Sequence, residues 1–309
     1  MTENINDIHE KWNQVTIVSV THNSGLVIDS FIDSQNDLAK VIVVDNASTD
    51  NTLDIISNKR PSTFLVKNKI GIGYGNGCNA GLALVETPFA LLANPDSVSN
   101  DAAIEVLLAA AHRYPGAGLI GPTVINGDGS VELSHDVELW KRKGYRKRER
   151  GDVPEGEICA EFVSGAVVLV RMEAMRDIGG FDPEFFLYYE DDDMCMNLRR
   201  HGWWLMLVPA ATVTHIGSGS VRVNRHYFWE KFWNIAWSRL HIERKYHGRF
   251  AMTHLAIFNI IKFVLKSVGY GLLANADKAW RDLARSAGSF ASLFGMRSSK
   301  LPRRVPRNE

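Results

Sequence analysis

Cysteine is scarce in this chain and follows no recognisable pattern. Only Cys78, Cys159 and Cys195 occur among 309 residues, an odd number without any CxxC spacing. A disulfide framework needs paired cysteines, and a structural zinc site needs closely spaced ligands. We therefore expect neither of these, and unpaired cysteines are typical of a protein from a reducing compartment.

The N-terminal segment lacks the apolar run of a signal peptide. It carries three acidic residues instead, Glu3, Asp7 and Glu10. We therefore expect the protein to stay in the cytoplasm. Near the other end, the apolar run Phe258–Ala274 is interrupted by Lys262 and Lys266. Because a spanning helix needs ~20 apolar residues without central charge, this run predicts a helix that lies at a membrane interface.

Net charge is also absent, but the two ends of the chain differ strongly. Residues 222–309 contain 17 Lys and Arg against 5 Asp and Glu, and residues 1–221 contain 18 against 30. We predict a catalytic region over residues 1–221 and a basic, amphipathic helical region over residues 222–309. The basic region is suited to an anionic membrane surface, which would make the protein peripheral. An amphipathic cap over the sheet and a homodimer contact are the alternative uses of this region.

The first half of the sequence alternates β-branched runs with amphipathic stretches. The expected strands are 15–20, 40–44, 63–66 and 89–93, and the expected helices are 25–33, 49–58, 76–85 and 101–113. Ser48 and Asn100 are candidate N-caps. Such alternation predicts an α/β fold with a mostly parallel sheet flanked by helices, in which ligands bind beyond the carboxyl ends of the strands.

The second half of the sequence changes character. A hairpin with a turn at 126–129 is expected first, and a basic loop over Lys141–Arg150 follows it. The expected strands are then 161–170 and 203–208, and the expected helices are 227–246, 251–274 and 276–294. The seven Lys and Arg of the basic loop are the sole hint of nucleic-acid binding, which we do not expect.

Two acidic residues lie at the ends of predicted strands. Asp45 comes after VIVV, and Asp96 comes after FALLANP. Acids at the ends of parallel strands meet in one crevice, where they can orient a base or hold a divalent cation. The alternative is structural, with Asp45 beginning an Asx turn and Asp96 capping a loop.

A denser acidic cluster occupies Glu190–Asp193, directly after Tyr188 and Tyr189. Crowded carboxylates beside apolar groups raise one another's pKa, which suits a general base. A solvated helix N-terminus is the alternative. His215, before the Gly and Ser loop 217–220, can ligate a metal or contact a phosphate, although a lone histidine is more often structural.

The glycine-rich stretch GIGYGNG at residues 71–77 is not a dinucleotide-binding fingerprint. A GxGxxG motif that starts at Gly71 places Asn76 where its last glycine belongs, and the required acid does not follow a strand at the expected distance. We expect this loop to let the backbone approach a nucleotide sugar ahead of a helix that contains Asn79.

Taken in order, these motifs resemble glycosyltransferase family 2, and in particular its rhamnosyltransferase-like branch. The resemblance covers residues 14–221 and rests on seven motifs, VTIVSVTHNS, VIVVDNASTDNT, the glycine loop, ALLANPDSV, FVSGAVVLVR, GGFDPEFFLYYEDDDMCMNLRRHGW and THIGSGS. It implies a GT-A fold and an inverting transfer of a sugar from a nucleotide donor.

The resemblance also implies roles for individual residues. Those that contact the nucleotide or donor would be Thr21, His22, Asn23, Asp45, Asn79 and Asp96. The catalytic residues would be Glu190 and Asp191, with Asp191 as the general base. Asp96 matches the last acid of the family's DxD motif, but Asn94 stands in place of the first. Binding of Mg²⁺ or Mn²⁺ would therefore depend on Asp96 and, we expect, on His215.

The expected donor is dTDP-rhamnose, and the expected acceptor is a glycan or polyprenyl-linked glycan hydroxyl. A UDP-sugar donor (galactofuranose, glucose or an N-acetylhexosamine) is the first alternative. A non-catalytic sugar-binding scaffold is a more distant one. A nucleotidyltransferase would need Arg and Lys in a glycine-rich loop after the first strand, where THNSG stands instead.

Overall fold

The computed structural model describes residues 11–136, 139–140, 153–216 and 225–297. The basic stretch Lys141–Arg150, the loop at 217–220 and the chain ends lie outside the described residues. Contacts divide the chain into two compact units. The first comprises Met1–Gly71, Gly77–Phe181 and Asp191–Val221. The second comprises Ile72–Asn76, Asp182–Glu190 and Arg222–Glu309.

A nine-stranded sheet forms the centre of the first unit. With strands numbered in chain order, those of this sheet are β1 Val15–Thr21, β2 Lys40–Asp45, β3 Phe64–Lys67, β4 Phe89–Ala93, β5 Ser97–Val98, β6 Ala117–Asn126, β8 Ile158–Ala160, β10 Val167–Arg171 and β11 Trp204–His215. Two further strands, β7 His135–Asp136 and β9 Phe162–Val163, pair with each other. The order is β3-β2-β1-β4-β10-β6-β11-β5, and β8 pairs with β11. β1 to β4 are mutually parallel, whereas β10 runs antiparallel to β4 and β6.

Six helices of the described chain connect these strands: α1 Ile28–Asp33, α2 Thr52–Lys59, α3 Tyr74–Leu82, α4 Asp101–Arg113, α5 Met172–Asp177 and α6 Glu190–Arg200. The central strands are covered on both faces, since β1 and β4 are buried along their whole length. Phe31, Ile56 and Leu107 bring the apolar sides of α1, α2 and α4 into one core with these strands. The expected α/β fold with helices flanking a mostly parallel sheet is confirmed.

Of the two expected helix N-caps, one is confirmed and the other is wrong. Asn100 caps α4 as expected, since its Oδ1 accepts from the Ala103 N–H over 2.8 Å. Ser48 does not cap α2, which begins only at Thr52. Its hydroxyl instead accepts from the Asn23 N–H at 2.9 Å, because tertiary contact with the loop after β1 offered a competing donor.

The strands of the second half also differ from expectation. The apolar run at 161–170 forms β9 and β10 with a turn between them, at 164–166. β11 extends to His215, beyond the expected end at Val208, with a register shift between Val208 and Thr212. His215 therefore occupies a strand end, with a fixed partner at Ser97 in the ladder.

The second unit is built mainly from α7 Arg225–Leu272 and α8 Ala276–Leu293. The dihedral angles of α7 are interrupted at Gly248 (φ 86°, ψ 175°), so the expected pair of helices is present. α8 lies very close to α7, because a Cβ atom at Gly288 would be 2.3 Å from the Trp233 carbonyl oxygen. Asp282, fully buried on α8, is neutralised by Arg281 and Arg285.

Candidate active site

The first group of expected site residues lies at the carboxyl ends of β1 and β2. Thr21 and Asp45 are partners in the ladder, and the Thr21 hydroxyl donates to Asp45 Oδ1 over 3.2 Å. Asp45 Oδ2 accepts from the Ser48 N–H at 3.0 Å. Since Asp45 is only 2% exposed, its carboxylate fixes the turn after β2. That is the Asx-type alternative, and a contact of Asp45 with a nucleoside stays a prediction.

His22 and Asn23 lie in the loop that follows β1. His22 Nδ1 is 2.8 Å from the carbonyl oxygen of Asn46, and since a carbonyl only accepts, this nitrogen carries the proton. The rest of the imidazole is exposed, which leaves a ring suited to stacking on a base. Asn23 adopts a left-handed φ of 52°, and its Oδ1 accepts from the Thr49 N–H at 2.7 Å.

Asn79 has a structural task on α3. Its Nδ2 donates to the Phe181 carbonyl oxygen at 2.8 Å, and its Oδ1 accepts from the Phe181 N–H at 2.9 Å. Both ends of the amide are thus occupied by the backbone of one residue, Phe181. The same helix approaches β1 closely, since a Cβ atom at Gly81 would lie 2.4 Å from Val18 Cγ1. Gly81 therefore serves packing against the sheet.

Asp96 and His215 are brought together by the antiparallel pairing of β5 with β11. His215 Nε2 lies 3.2 Å from Asp96 Oδ1, and its Nδ1 lies 3.0 Å from Glu132 Oε2. Asp96 is 7% exposed, and all three side chains are at least partly buried. The hydrogen bonds that His215 donates to Asp96 and then to Glu132, despite an opposing contribution from burial, raise its pKa to about 10. The ring is thus an imidazolium at neutral pH.

Asp96 and His215 also meet the chemical requirement of a divalent-metal site. A carboxylate is a hard oxygen ligand and a deprotonated imidazole nitrogen is a common metal ligand, and these two atoms already face each other. A metal at this position must displace the proton on Nε2. Within the described part of the chain, no cluster of three or more His, Cys, Asp or Glu residues has metal-binding geometry. The protein would therefore supply two ligands, and the donor diphosphate and water the others.

Asp191 is positioned through the turn at 164–166. A Cβ atom at Gly165 would lie 3.3 Å from the Asp191 Cβ, so the missing side chain lets Asp191 pack on this turn. The neighbouring Ala166 carbonyl oxygen accepts from the Asn94 N–H at 2.8 Å. Asn94 follows β4 directly and precedes Asp96 by two residues. This chain of contacts places Asp191 at the same sheet edge as Asp96.

The acidic cluster continues into α6. Asp191 Oδ1 accepts from the Asp192 N–H at 3.0 Å, and Asp192 and Asp193 are 6% and 1% exposed. The cluster is therefore not a solvated helix N-terminus, which was the alternative reading of these acids. An effect of Asp192 and Asp193 on the pKa of Asp191 stays a prediction.

Two site residues were missed by sequence reasoning. Glu132 lies on the segment that returns from β6, where its N–H donates to the Val124 carbonyl oxygen, and nothing in its local sequence distinguishes it. Gly165 could have been identified from the sequence, because a glycine that interrupts an apolar strand often marks a position where another group closely approaches the backbone.

The sheet is mostly parallel and carries acidic residues near the carboxyl ends of its strands, which is the arrangement of the GT-A fold, and solved glycosyltransferases share it. The chain superposes on the Pyrobaculum calidifontis mannosyltransferase PcManGT, solved with GDP-Man and Mn²⁺, with a TM-score of 0.51, 14% identity, and coverage of 91% of this chain and 87% of that one. For S. aureus TarS 1-349 with UDP-GlcNAc, the TM-score is 0.51 at 15% identity, with 92% of each chain covered. At such identities the likeness shows the fold alone.

The chain belongs to the family described as Glycosyl transferase family 2, whose model matches residues 16–178, and it is a glycosyltransferase. An N-acetylglucosaminyl-diphospho-decaprenol L-rhamnosyltransferase of Mycobacterium tuberculosis is 31% identical over 229 residues, covering 64% of this chain and 75% of the relative. The Escherichia coli rhamnosyltransferase WbbL is 24% identical over 259 residues, covering 75% and 93%.

Proposed function

We propose that this protein transfers L-rhamnose from dTDP-rhamnose to a hydroxyl of a glycan carried on a polyprenyl diphosphate, at the cytoplasmic side of a membrane. The names of the two rhamnosyltransferase relatives support the sugar, and the decaprenol-linked substrate in one of those names supports the acceptor class. The observation that carries the reaction is the packing of Asp191 on Gly165, at the sheet edge that holds Asp96.

Asp191 is the general base of this proposal. An acceptor oxygen attacks the anomeric carbon from the face opposite the diphosphate, so the new C–O bond forms as the old one breaks and the configuration inverts. Asp191 accepts the proton of the attacking hydroxyl, and dTDP leaves with the bonding electrons. A positioned base of this kind contributes typically ~10²–10⁴-fold in rate. Glu190, its neighbour in sequence, is a second candidate catalytic carboxylate.

The remaining site residues bind the donor. His22 stacks on the base and Asn23 borders it, while Thr21, Asp45 and Asn79 shape the loops around the nucleotide. Asp96 and His215 would hold the divalent cation, Mg²⁺ or Mn²⁺. When bound, the cation supplies positive charge that stabilises the departing diphosphate.

The first experiment identifies the nucleotide of the donor. Thermal unfolding of the protein is followed with dTDP, UDP and GDP, each with Mn²⁺, with Mg²⁺ and with a chelator. A ligand at ~100 times its dissociation constant stabilises the folded state by about 2.7 kcal/mol. We expect dTDP with metal to give the largest rise in melting temperature. An equal or larger rise with UDP would assign a UDP-sugar donor, and no rise with any nucleotide would support the scaffold alternative.

The second experiment tests the base. Rhamnose transfer from dTDP-rhamnose to a synthetic N-acetylglucosaminyl-diphospho-polyprenol is followed by mass spectrometry. Asp191→Asn should lower kcat by about 10²-fold or more and leave nucleotide-induced stabilisation unchanged. Asp54→Asn, on the exposed side of α2, is the matched control. Full turnover by Asp191→Asn would exclude Asp191 as the base.

The second half of α7 is the proposed membrane-facing surface. Its large side chains are exposed although apolar, at Phe258, Ile261, Val264, Leu265, Val268 and Leu272. By length and composition α7 contains a segment able to cross a membrane, and 6% of that segment is buried. Lys262 and Lys266 are exposed on the same stretch. We propose that this apolar surface lies in the headgroup region of an anionic leaflet, with both lysines near the lipid phosphates.

Flotation with liposomes tests the membrane proposal. The full-length protein should float with phosphatidylglycerol vesicles and remain behind with phosphatidylcholine vesicles at moderate salt. Leu265→Ser, which places a hydroxyl on the apolar surface, should weaken flotation. Leu26→Ser, at an even more exposed leucine in the first unit, should not. Flotation that resists alkaline carbonate would indicate a spanning helix. A concentration-dependent dimer that does not float would show that the surface joins two copies.

A further inference from the structure

The segment that leads into the proposed base has a strained backbone. Tyr188 and Tyr189 adopt left-handed φ angles of 70° and 68°, directly before Glu190 and Asp191. Bulky residues rarely adopt this conformation, and it persists only where surrounding contacts impose it. The contacts of Asp182–Glu190 therefore show what sets the direction in which the chain enters Asp191.

Asp182 anchors the start of this segment to α7. Its Oδ2 is 2.8 Å from Lys245 Nζ and 3.5 Å from His241 Nε2, and its Oδ1 accepts from the Glu184 N–H at 3.0 Å. Burial raises the pKa of Asp182, but the hydrogen bonds from His241 and Lys245 outweigh it and hold that pKa well below its usual range. Asp182 is thus a partly buried carboxylate with three partners, two of them on α7.

The aromatic surroundings hold His241 in place. Its ring stacks on Trp237 at 5.1 Å with a 9° interplanar angle, and meets Phe185 edge-on at 4.8 Å. Phe185 belongs to the strained segment and is fully buried. Because the ring is fixed by both neighbours, His241 joins the segment to α7 by packing as well as by its contact with Asp182.

Two further contacts hold the part of the segment that lies nearer to Asp191 in the chain. The Ser238 hydroxyl, on a fully buried residue of α7, donates to the Leu187 carbonyl oxygen at 3.0 Å. Burial, and a hydrogen bond with Tyr227 of α7, raise the pKa of Tyr188. α7 therefore contacts the segment at its beginning, at its middle and next to the strained pair.

We propose that Lys245 and His241 are positioning residues for the transfer reaction, which act by fixing Asp182–Glu190 and hence the backbone entering Asp191. The inference rests on the proposed role of Asp191 as the base. It assigns a task in the reaction to α7, which lies outside residues 16–178 that match the family. The basic C-terminal region would then serve the chemistry in addition to any membrane contact.

The experiment combines kinetics with hydrogen exchange on the full-length protein. Lys245→Met removes the ion pair and keeps the aliphatic stem, while Lys245→Arg restores the charge and Lys231→Met makes the same change elsewhere on α7. We expect Lys245→Met to lower kcat by about 10- to 100-fold without changing the donor KM, because misplacing a reacting group has effects of this size. The backbone amides of residues 184–190 should exchange faster. Lys245→Arg should recover most of both properties.

Each outcome decides the inference. A kcat for Lys245→Met equal to that of Lys231→Met overturns it, and so does slower turnover without faster exchange at residues 184–190. Asp182→Asn, which keeps the side-chain size, must reproduce the effect if Lys245→Met does not fold. If the unaltered protein transfers no sugar from any donor, the proposed function fails. The exchange measurement, which needs no donor, then decides whether Lys245 holds the segment.

Discussion

The paired carboxylates around His215 lead to a quantitative prediction about stability. His215→Gln keeps an uncharged donor for Asp96 but removes the positive charge and the bond to Glu132. The pKa of His215 in the folded protein is about 10 against an ordinary 6.5. Because the folded-state pKa is the higher one, its stabilising effect is complete below pH 6.5 and is lost as the pH rises through about 10.

The size of the stability loss follows from this pKa difference and from the solvent exposure of the side chains. A shift from 6.5 to about 10 corresponds to at most ~5 kcal/mol. The His215 and Glu132 side chains are 16% and 30% exposed, so solvent screening and the cost of desolvating the charges reduce this value. We expect His215→Gln to lower the free energy of unfolding by about 2 kcal/mol at pH 6 and by less than about 0.5 kcal/mol at pH 10.

Urea denaturation followed by circular dichroism measures this difference at several pH values. A chelator is present throughout, because a divalent cation would compete with the proton for the ring. His201→Gln, at an exposed position after α6, is the control and should show no pH-dependent loss. A His215→Gln deficit that is equally large at pH 6 and pH 10 would show that the imidazolium is not responsible.

Three further predictions concern packing and metal binding. Gly81→Ala should destabilise the fold by about 1–3 kcal/mol in urea melts, because its methyl group collides with Val18. By contrast, the methyl group of Gly269→Ala meets open space on α7, so this change should stabilise the fold by about 0.5–1 kcal/mol. Gly165→Ala should lower kcat by about tenfold with little change in nucleotide-induced thermal stabilisation, because it displaces the base and not the donor. The apparent affinity for Mn²⁺ in activity titrations should rise about tenfold per pH unit between pH 6 and 8, since the His215 proton must leave; a pH-independent affinity would exclude His215 as a ligand.

Local sequence was sufficient for the strands of the first half and for the types of residue near their carboxyl ends. Runs such as VIVV and FALLA are buried on both faces, which is the pattern of central parallel strands. An acid that follows such a run must lie at the ligand-binding edge, so Asp45 and Asp96 could be located without coordinates. Asn100 was identifiable as an N-cap because its partner is only three residues away.

Contacts distant in sequence decided how these residues are used. Ser48 accepts from the Asn23 N–H instead of capping α2, the role that its local sequence indicated. Asn79 bonds to the backbone of Phe181, and its expected contact with the donor stays a prediction. Glu132 contacts His215 only because the chain turns back after β6 and brings the two residues together.

The sequence alone therefore determined the class of fold, the edge of the sheet that carries the chemistry and the order of its acidic residues, because strand periodicity and strand ends are local properties. Only the tertiary structure decided that His215 is held as an imidazolium by two carboxylates and that Asp191 packs on Gly165. It also decided that α7 contacts the strained segment that precedes Glu190 and Asp191. The physical reason is that pKa values, close packing and backbone strain depend on neighbours far away in the chain.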